Sequence, residues 1–273
     1  MPNPSRRPDR PVGQITRGKT ARNRLRRVDI FTLLYARELL TCAAPDARRA
    51  FFVDLGYGAE AFTTLESAER FRALNPHLDV LGVEIDPARI AAALPYADEN
   101  TLFRLGGFNV PLETGETVRL IRAFNVLRQY AESEVAESHA MMGASLMPGG
   151  LIIEGTSNPS GRVWVANLLR KGADAALRME GLVFGTNFHG GFEPGIFQPV
   201  LPKNYIHRME AGETIYEFME AWKAASRQTI AHKAFGLRQW FAASARQLAA
   251  EEYTVDTRRK LLRLGILLWR FDG

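Results

Sequence analysis

FFVDLGYGAE, residues 51–60, is an apolar run that stops at an acid and turns through Gly56 and Gly58; a second apolar run, VLGVEID (80–86), follows. The first run is short, rich in β-formers and apolar at successive positions. That predicts a strand buried on both faces of a parallel sheet, not an amphipathic surface strand. The glycines fall where the strand ends. Lacking a Cβ, they allow positive φ and a close approach of backbone to ligand at the carboxyl end of a strand, where open α/β sheets bind ligands. Residues 62–74 place Leu65, Ala68, Phe71 and Leu74 at helical spacing, and Asn75-Pro76 closes the segment. Strand, glycine turn, helix and strand in this order open a nucleotide-binding βαβ unit.

Two cofactor classes use such an opening. Gly56-x-Gly58-x-x-Ala61 satisfies the G-x-G-x-x-G/A pattern of a dinucleotide fold. Asp54, two residues before the first glycine, argues the other way: a diphosphate there would meet a negative charge, whereas S-adenosylmethionine brings a sulfonium and an ammonium and no phosphate. Glu84 lies further along the chain than the ~20 residues expected of an NAD ribose acid. It is expected to accept hydrogen bonds from the ribose hydroxyls of either cofactor. A glycine turn between two solvated acids is the plainer alternative.

Asp54-Leu55-Gly56-Tyr57-Gly58 followed by Gly82-Val83-Glu84-Ile85-Asp86 resembles the first two motifs of the class I S-adenosylmethionine-dependent methyltransferases. TLFRLGGFNV (101–110) falls where that family's third strand and adenine-side loop stand. VRLIRAFNVL (118–127) suits the fourth strand, and LMPGG (146–150) before LIIE (151–154) is similar to its turn into the fifth. RGKTARNRLRR, RAFNVLRQY and LPKNYIHR resemble a bacterial branch of these enzymes. The resemblance covers residues 24–188. It implies a Rossmann-like methyltransferase fold: a mostly parallel α/β sheet with a terminal antiparallel hairpin, here followed by a C-terminal helical extension. It also implies S-adenosylmethionine as cofactor, with Asp54, Gly56, Tyr57, Gly58 and Glu84 around it. Phe108 would pack on the adenine and Asn109 would take its amine through the amide oxygen, the alternatives being a core phenylalanine and a turn residue. The chain departs from the family at Glu60, where many members carry a third glycine. It also lacks the Asp/Asn-Pro-Pro-Tyr motif of enzymes that methylate base amino groups; Asn125-Val126-Leu127-Arg128 stands there instead.

Methyl transfer asks mainly for alignment of an acceptor and exclusion of water. Asn125, at the end of the fourth strand, is the expected acceptor-positioning residue, and Glu154, on the fifth, the expected base. His189 and His207 are weaker candidates for the same work. Arg122 and Arg128 are placed to orient an acidic substrate or to form ordinary salt bridges. No set of histidines and acids has metal-ligand spacing.

The 273 residues carry a net charge of +5, yet residues 1–27 hold nine Lys/Arg against Asp9 alone, so the rest of the chain is acidic on balance. Residues 1–23, with prolines at 2, 4, 8 and 11, read as a basic disordered tail able to attract nucleic-acid phosphates. Residues 24–200 read as the Rossmann-like domain and 201–273 as a mainly helical extension. Leu25, Val28, Phe31, Leu34 and Tyr35 mark an amphipathic helix; the family resemblance implies that it covers the cofactor and turns Arg24 and Arg27 toward the pocket, the alternative being a solvent-exposed basic face. Residues 162–171 and 175–188 read as an antiparallel hairpin, with either a short helix near 158–162 before it or an altered strand order. GGFEPG (190–195) has the chemistry of a lid or a surface loop. Ile215, Phe218, Met219 and Trp222 form a core stripe in a helical cap or homodimer contact, and residues 261–271 fit either helix or strand.

A single cysteine, Cys42, excludes an internal disulfide, and no apolar stretch approaches the roughly 20 residues of a membrane span. Cytoplasmic residence is the expectation. The function expected is methyl transfer to a small molecule or, second, to RNA. An NAD-dependent oxidoreductase and a noncatalytic cofactor- or RNA-binding module are the alternatives.

Overall fold

Phe51, Phe52 and Val53 have no exposed surface, and their side chains alternate between two layers of core, as the two-residue period of a strand requires. Each such burial is worth about 1.5–3 kcal/mol, so this strand, β1 (Arg49–Leu55), is held in the middle of the protein. The structure is a computed structural model and describes residues 10–16, 21–44, 46–251 and 253–271. For residues 1–9 and 17–20 the expected disorder of the tail lies outside the described residues.

Around β1 run β2 (Val80–Glu84), β3 (Thr101–Leu105), β4 (Glu116–Phe124), β5 (Leu146–Ser157), β6 (Val163–Lys171), β7 (Leu177–Thr186) and β8 (Ile266–Arg270), in the order β3-β2-β1-β4-β5-β6-β7-β8. The first five of that order pair in parallel; β5-β6, β6-β7 and β7-β8 are antiparallel. This is the expected Rossmann-like sheet with its antiparallel hairpin. The strand order after β5 is the altered one: residues 158–162 form a turn, no helix intervenes, and β5 passes directly into β6. The hairpin therefore becomes a meander. Residues 261–271 divide into the end of a helix and β8, which explains why neither period ran through them.

The helices are α1 (Arg26–Tyr35), α2 (Arg37–Thr41), α3 (Phe62–Arg72), α4 (Pro87–Ala93), α5 (Val135–Ala144), α6 (Lys203–Ile206), α7 (Thr214–Gln228), α8 (Leu237–Ala250) and α9 (Arg259–Arg263). Val28 and Phe31 of α1 and Phe71 of α3 share one core with Phe52, Leu120 and Trp164. On the opposite face α5 packs against Ile121 and Ile152. The C-terminal extension caps the meander on that same face, Phe218 stacking on Trp269 with ring centroids 4.0 Å apart. Trp222 and Trp240 place their indole N–H groups on Ser244 Oγ and the Ser226 carbonyl, so these aromatics are core, as their spacing predicts. The 190–195 segment is anchored by Phe192, whose ring meets Trp240 and Phe241 edge-on. Among the described residues no helix is long and apolar enough to cross a membrane.

Candidate functional site

Beyond Leu55 the chain turns through Gly56 at φ 72° and Gly58 at φ 92°, conformations that favour glycine. The turn brings the Gly58 N–H to Glu84 Oε2, 3.0 Å away at the end of β2. The other Glu84 oxygen accepts from Ile85 N–H at 2.9 Å, and Arg89 Nη1 lies 3.4 Å from Oε2. Each carboxylate oxygen has two lone pairs, so Glu84 keeps acceptor capacity toward the cleft it lines. Val83, Ile85, Gly106, Gly107, Phe108, Val126 and Tyr130 complete the walls.

Residues 10–16 occupy that cleft. Val12 carbonyl accepts from Phe108 N–H at 2.9 Å, and Val12 N–H donates to Asn109 Oδ1 at 2.9 Å. Asn109 Nδ2 donates to the Arg10 carbonyl, and Gln14 N–H donates to the Tyr130 hydroxyl. Arg89 donates to both the hydroxyl and the carbonyl of Thr16 at 2.9 Å. A Cβ on Gly107 would lie 2.0 Å from the Val12 oxygen, so only glycine admits this strap. The cavity left beside it is about 20 Å³, far under the ~300–1,000 Å³ of pockets that enclose a drug-sized ligand. The tail expected to be free is thus, over residues 10–16, a bound segment, because the cleft offers its backbone a full set of partners.

Asp54 stands elsewhere. Its side chain shares the parity of Phe52 and points to the α3 face, where Oδ2 accepts from Thr63 Oγ1 at 2.7 Å, Thr64 Oγ1 at 2.9 Å and Arg122 Nη2 at 2.9 Å. Arg122 also bonds Asp29 and Ser67, and Arg70 reaches Asp29 at 2.7 Å. Burial pulls the Arg122 pKa down, but the Asp54 and Asp29 carboxylates outweigh it and the net shift is upward. This buried network ties α1 and α3 to the sheet. It removes Asp54 from the cleft lining and Arg122 from any substrate. Tyr57 also faces away: its ring packs edge-on against Phe103 at 5.6 Å, and burial pushes its hydroxyl well above the usual tyrosine value.

Asn125 closes β4 in the left-handed region, φ 61°. Its N–H donates to the Gly155 carbonyl, its Oδ1 accepts from Ser157 N–H at 3.0 Å, and its Nδ2 lies 3.3 Å from Ser157 Oγ. One amide N–H and one lone pair remain. Glu154 is not beside it, since β5 continues to Ser157 and the Glu154 side chain faces α5. There it is buried, accepting from Asn167 Nδ2 at 2.7 Å with His139 Nε2 3.5 Å away. The structure does not bring the two expected acceptor-side residues together. Arg24, just before α1, contacts Ser157 through Nε at 3.2 Å, and Arg27, in its first turn, donates to the carbonyls of Thr186 and Leu264, so these contacts lie along the carboxyl edge and not in the cleft. Arg128 bonds the Pro199 carbonyl, His207 is exposed beside Lys203, and His189 is exposed. Among the described residues no group of His, Cys, Asp and Glu could hold a metal ion.

The residues that sequence reading passed over are Val12, Gly13, Gln14, Thr16, Arg89 and Tyr130. A signal existed in VGQIT (12–16), the one apolar-leaning stretch between two basic blocks.

Among solved structures the chain is similar to the CcbJ methyltransferase from Streptomyces caelestis, at 15% identity over 58% of this chain and 76% of that one, TM-score 0.35. It is similar to the N-methyltransferase NodS from Bradyrhizobium japonicum WM9, at 20% identity over 47% of this chain and 70% of that one, TM-score 0.31. It is also similar to LepI in complex with SAM, at 18% identity and TM-score 0.35; 44% of this chain is covered, but only 30% of LepI. No protein-family model and no curated protein matches the chain.

Proposed function

We propose that the chain is an S-adenosylmethionine-dependent methyltransferase whose cofactor takes the place of residues 10–16 in the cleft. The observation that carries the reading is the pairing of Phe108 N–H and Asn109 Oδ1 with the carbonyl and N–H of Val12. A donor beside an acceptor, under an aromatic ring, is the complement of an adenine edge, whose ring nitrogen accepts and whose amine donates. Glu84, at the end of the next strand toward the glycine turn, then receives the ribose hydroxyls. The turn from Gly56 to Gly58 lies against the amino-acid end of the cofactor. Asn125, at the end of β4, offers its remaining N–H and lone pair to an acceptor held in line with the methyl group.

Glu60 separates this from a dinucleotide site. It sits one residue before Ala61, which caps the α3 N-terminus, where a diphosphate would gather its backbone N–H groups and meet a carboxylate instead. Glu154, enclosed under α5, is not in contact with such an acceptor, so no base is assigned. Of the two acceptor classes expected from the sequence, the arginine-lined groove at the β7–β8 end of the same sheet edge favours RNA over a small molecule.

Calorimetric titration with S-adenosylhomocysteine, S-adenosylmethionine and NADH tests the reading. Saturable binding of the first two alone is expected. Selective binding of NADH would replace it with an oxidoreductase, and no binding of any would leave a noncatalytic module.

A further inference from the structure

At the far end of the carboxyl edge the chain gathers positive charge that no acid among the described residues pairs with. Arg238 and Arg246 of α8 and Arg259 and Arg263 of α9 line one concavity, and a second, sharing Arg238, runs past His189 to Phe235. All four arginines are exposed, and among the described residues none of them has a carboxylate partner. Arg238 is held in place, its Nε donating to the Arg263 carbonyl and its guanidinium 5.4 Å from the Phe188 ring centroid. Phe235 is 76% exposed, whereas Phe188, Phe192, Phe197, Phe218 and Phe241 of the C-terminal layer are buried.

The position matters as much as the charge. β7 runs in the same direction as β5, so Thr186, where β7 ends, lies on the same edge as Ser157 and Asn125. Arg24 on Ser157 and Arg27 on Thr186 mark the edge between them. Three strand spacings of about 4.8 Å separate β4 from β7, so the groove begins roughly 15 Å from the expected acceptor position.

We infer that this groove binds the backbone of single-stranded RNA and presents one of its nucleotides at Asn125, an inference that rests, for its second half, on the methyltransferase reading. Guanidinium groups suit phosphate because they offer planar, paired N–H donors. A basic groove that also shows an unburied aromatic ring is the combination single strands use, phosphates on the arginines and a base on the ring. The arginines line concavities rather than a raised face, which suits a strand better than a bilayer. A duplex would bury Phe235 against a backbone it cannot stack on.

The test is fluorescence anisotropy of a labelled 12-nucleotide oligouridine with the full chain, across a salt series, for wild type, Arg246→Ala/Arg259→Ala and Phe235→Ala. S-adenosylhomocysteine titration runs in parallel as a control for folding. The double variant is expected to weaken binding at least tenfold and to flatten the log–log salt slope by about 1.4, the ~0.7 per phosphate contact of a single strand. Phe235→Ala is expected to weaken it at least fivefold. Unchanged binding in both variants, no binding by wild type at low salt, or tighter binding to a duplex or to vesicles of phosphatidylcholine with phosphatidylglycerol would overturn the groove assignment. RNA binding without any S-adenosylhomocysteine binding would instead remove the methyltransferase reading and leave the groove standing.

Discussion

Asp54 and Arg122 stand directly opposite one another in the register of β1 and β4, and their side chains close a 2.9 Å ion pair on the buried α3 face of the sheet. The acid of a glycine-rich nucleotide motif is here part of the scaffold. Removing one partner of a buried pair leaves the other charged and unsolvated, at a cost of about 3–5 kcal/mol. Asp54→Ala is therefore expected to lower stability by that amount in urea denaturation, while the fraction that remains folded binds S-adenosylhomocysteine as wild type does. A variant of normal stability with lost binding would return Asp54 to the cofactor.

The strap depends on Gly13, whose φ of 146° a side chain strains. Gly13→Ala changes no residue of the cleft walls, but its Cβ would press on the Tyr130 hydroxyl at 3.1 Å and on Ile85 at 3.4 Å, and the backbone strain itself costs on the order of 1–3 kcal/mol. Exchange of the Val12 and Gln14 amides is expected to quicken about tenfold by hydrogen–deuterium exchange. Affinity for S-adenosylhomocysteine should rise by a similar factor, and a fall would show that the strap covers the cofactor instead of displacing it.

Asn125 combines a left-handed backbone with a side-chain bridge to Ser157, and two substitutions separate them. Asn125→Gly keeps the conformation available; Asn125→Ala does not. The alanine variant is expected to be less stable than the glycine variant by about 1 kcal/mol in thermal unfolding. Both should lose methyl transfer and keep cofactor binding, and activity in either would move the acceptor site away from β4.

Glu116 titrates with a clear sign. Burial raises its pKa, but the Arg104 guanidinium at 2.5 Å and the Glu113 N–H outweigh it, holding the carboxyl below its ordinary value. Its contribution is thus present above the unfolded pKa of about 4.3 and lost as pH falls through the folded one. Glu116→Gln should flatten the loss of stability below about pH 4.3, and an unchanged acid limb would refute the assignment.

The sequence made β1, its glycine turn and β2 legible because a strand buried on both faces leaves an unbroken apolar run. It did not reveal where Asp54 points, since the face depends on strand parity and on where the pleat begins. Arg119 and Arg122 were the available clue: two arginines inside the apolar run of β4 require partners that a buried strand must find nearby. The meander was obscured because β5 and β6 join through a five-residue turn that resembles the start of a short helix. Glu84 and Phe108 of the cleft's lining, and Asn109 beside it, lie in motifs the sequence already displays. The cleft's occupant was hidden because seven residues between basic blocks have no period to read.

For any ligand that uses the partners of the Val12 peptide, as the proposed cofactor would, residues 10–16 are a competitor. One set of donors and acceptors cannot serve two occupants, so the measured dissociation constant is the intrinsic one divided by the fraction of molecules with the segment withdrawn. Were it docked in 99 of 100 molecules, affinity would drop about a hundredfold. Any surface that holds the arginine-rich chain end outside would restore it without touching the cleft itself.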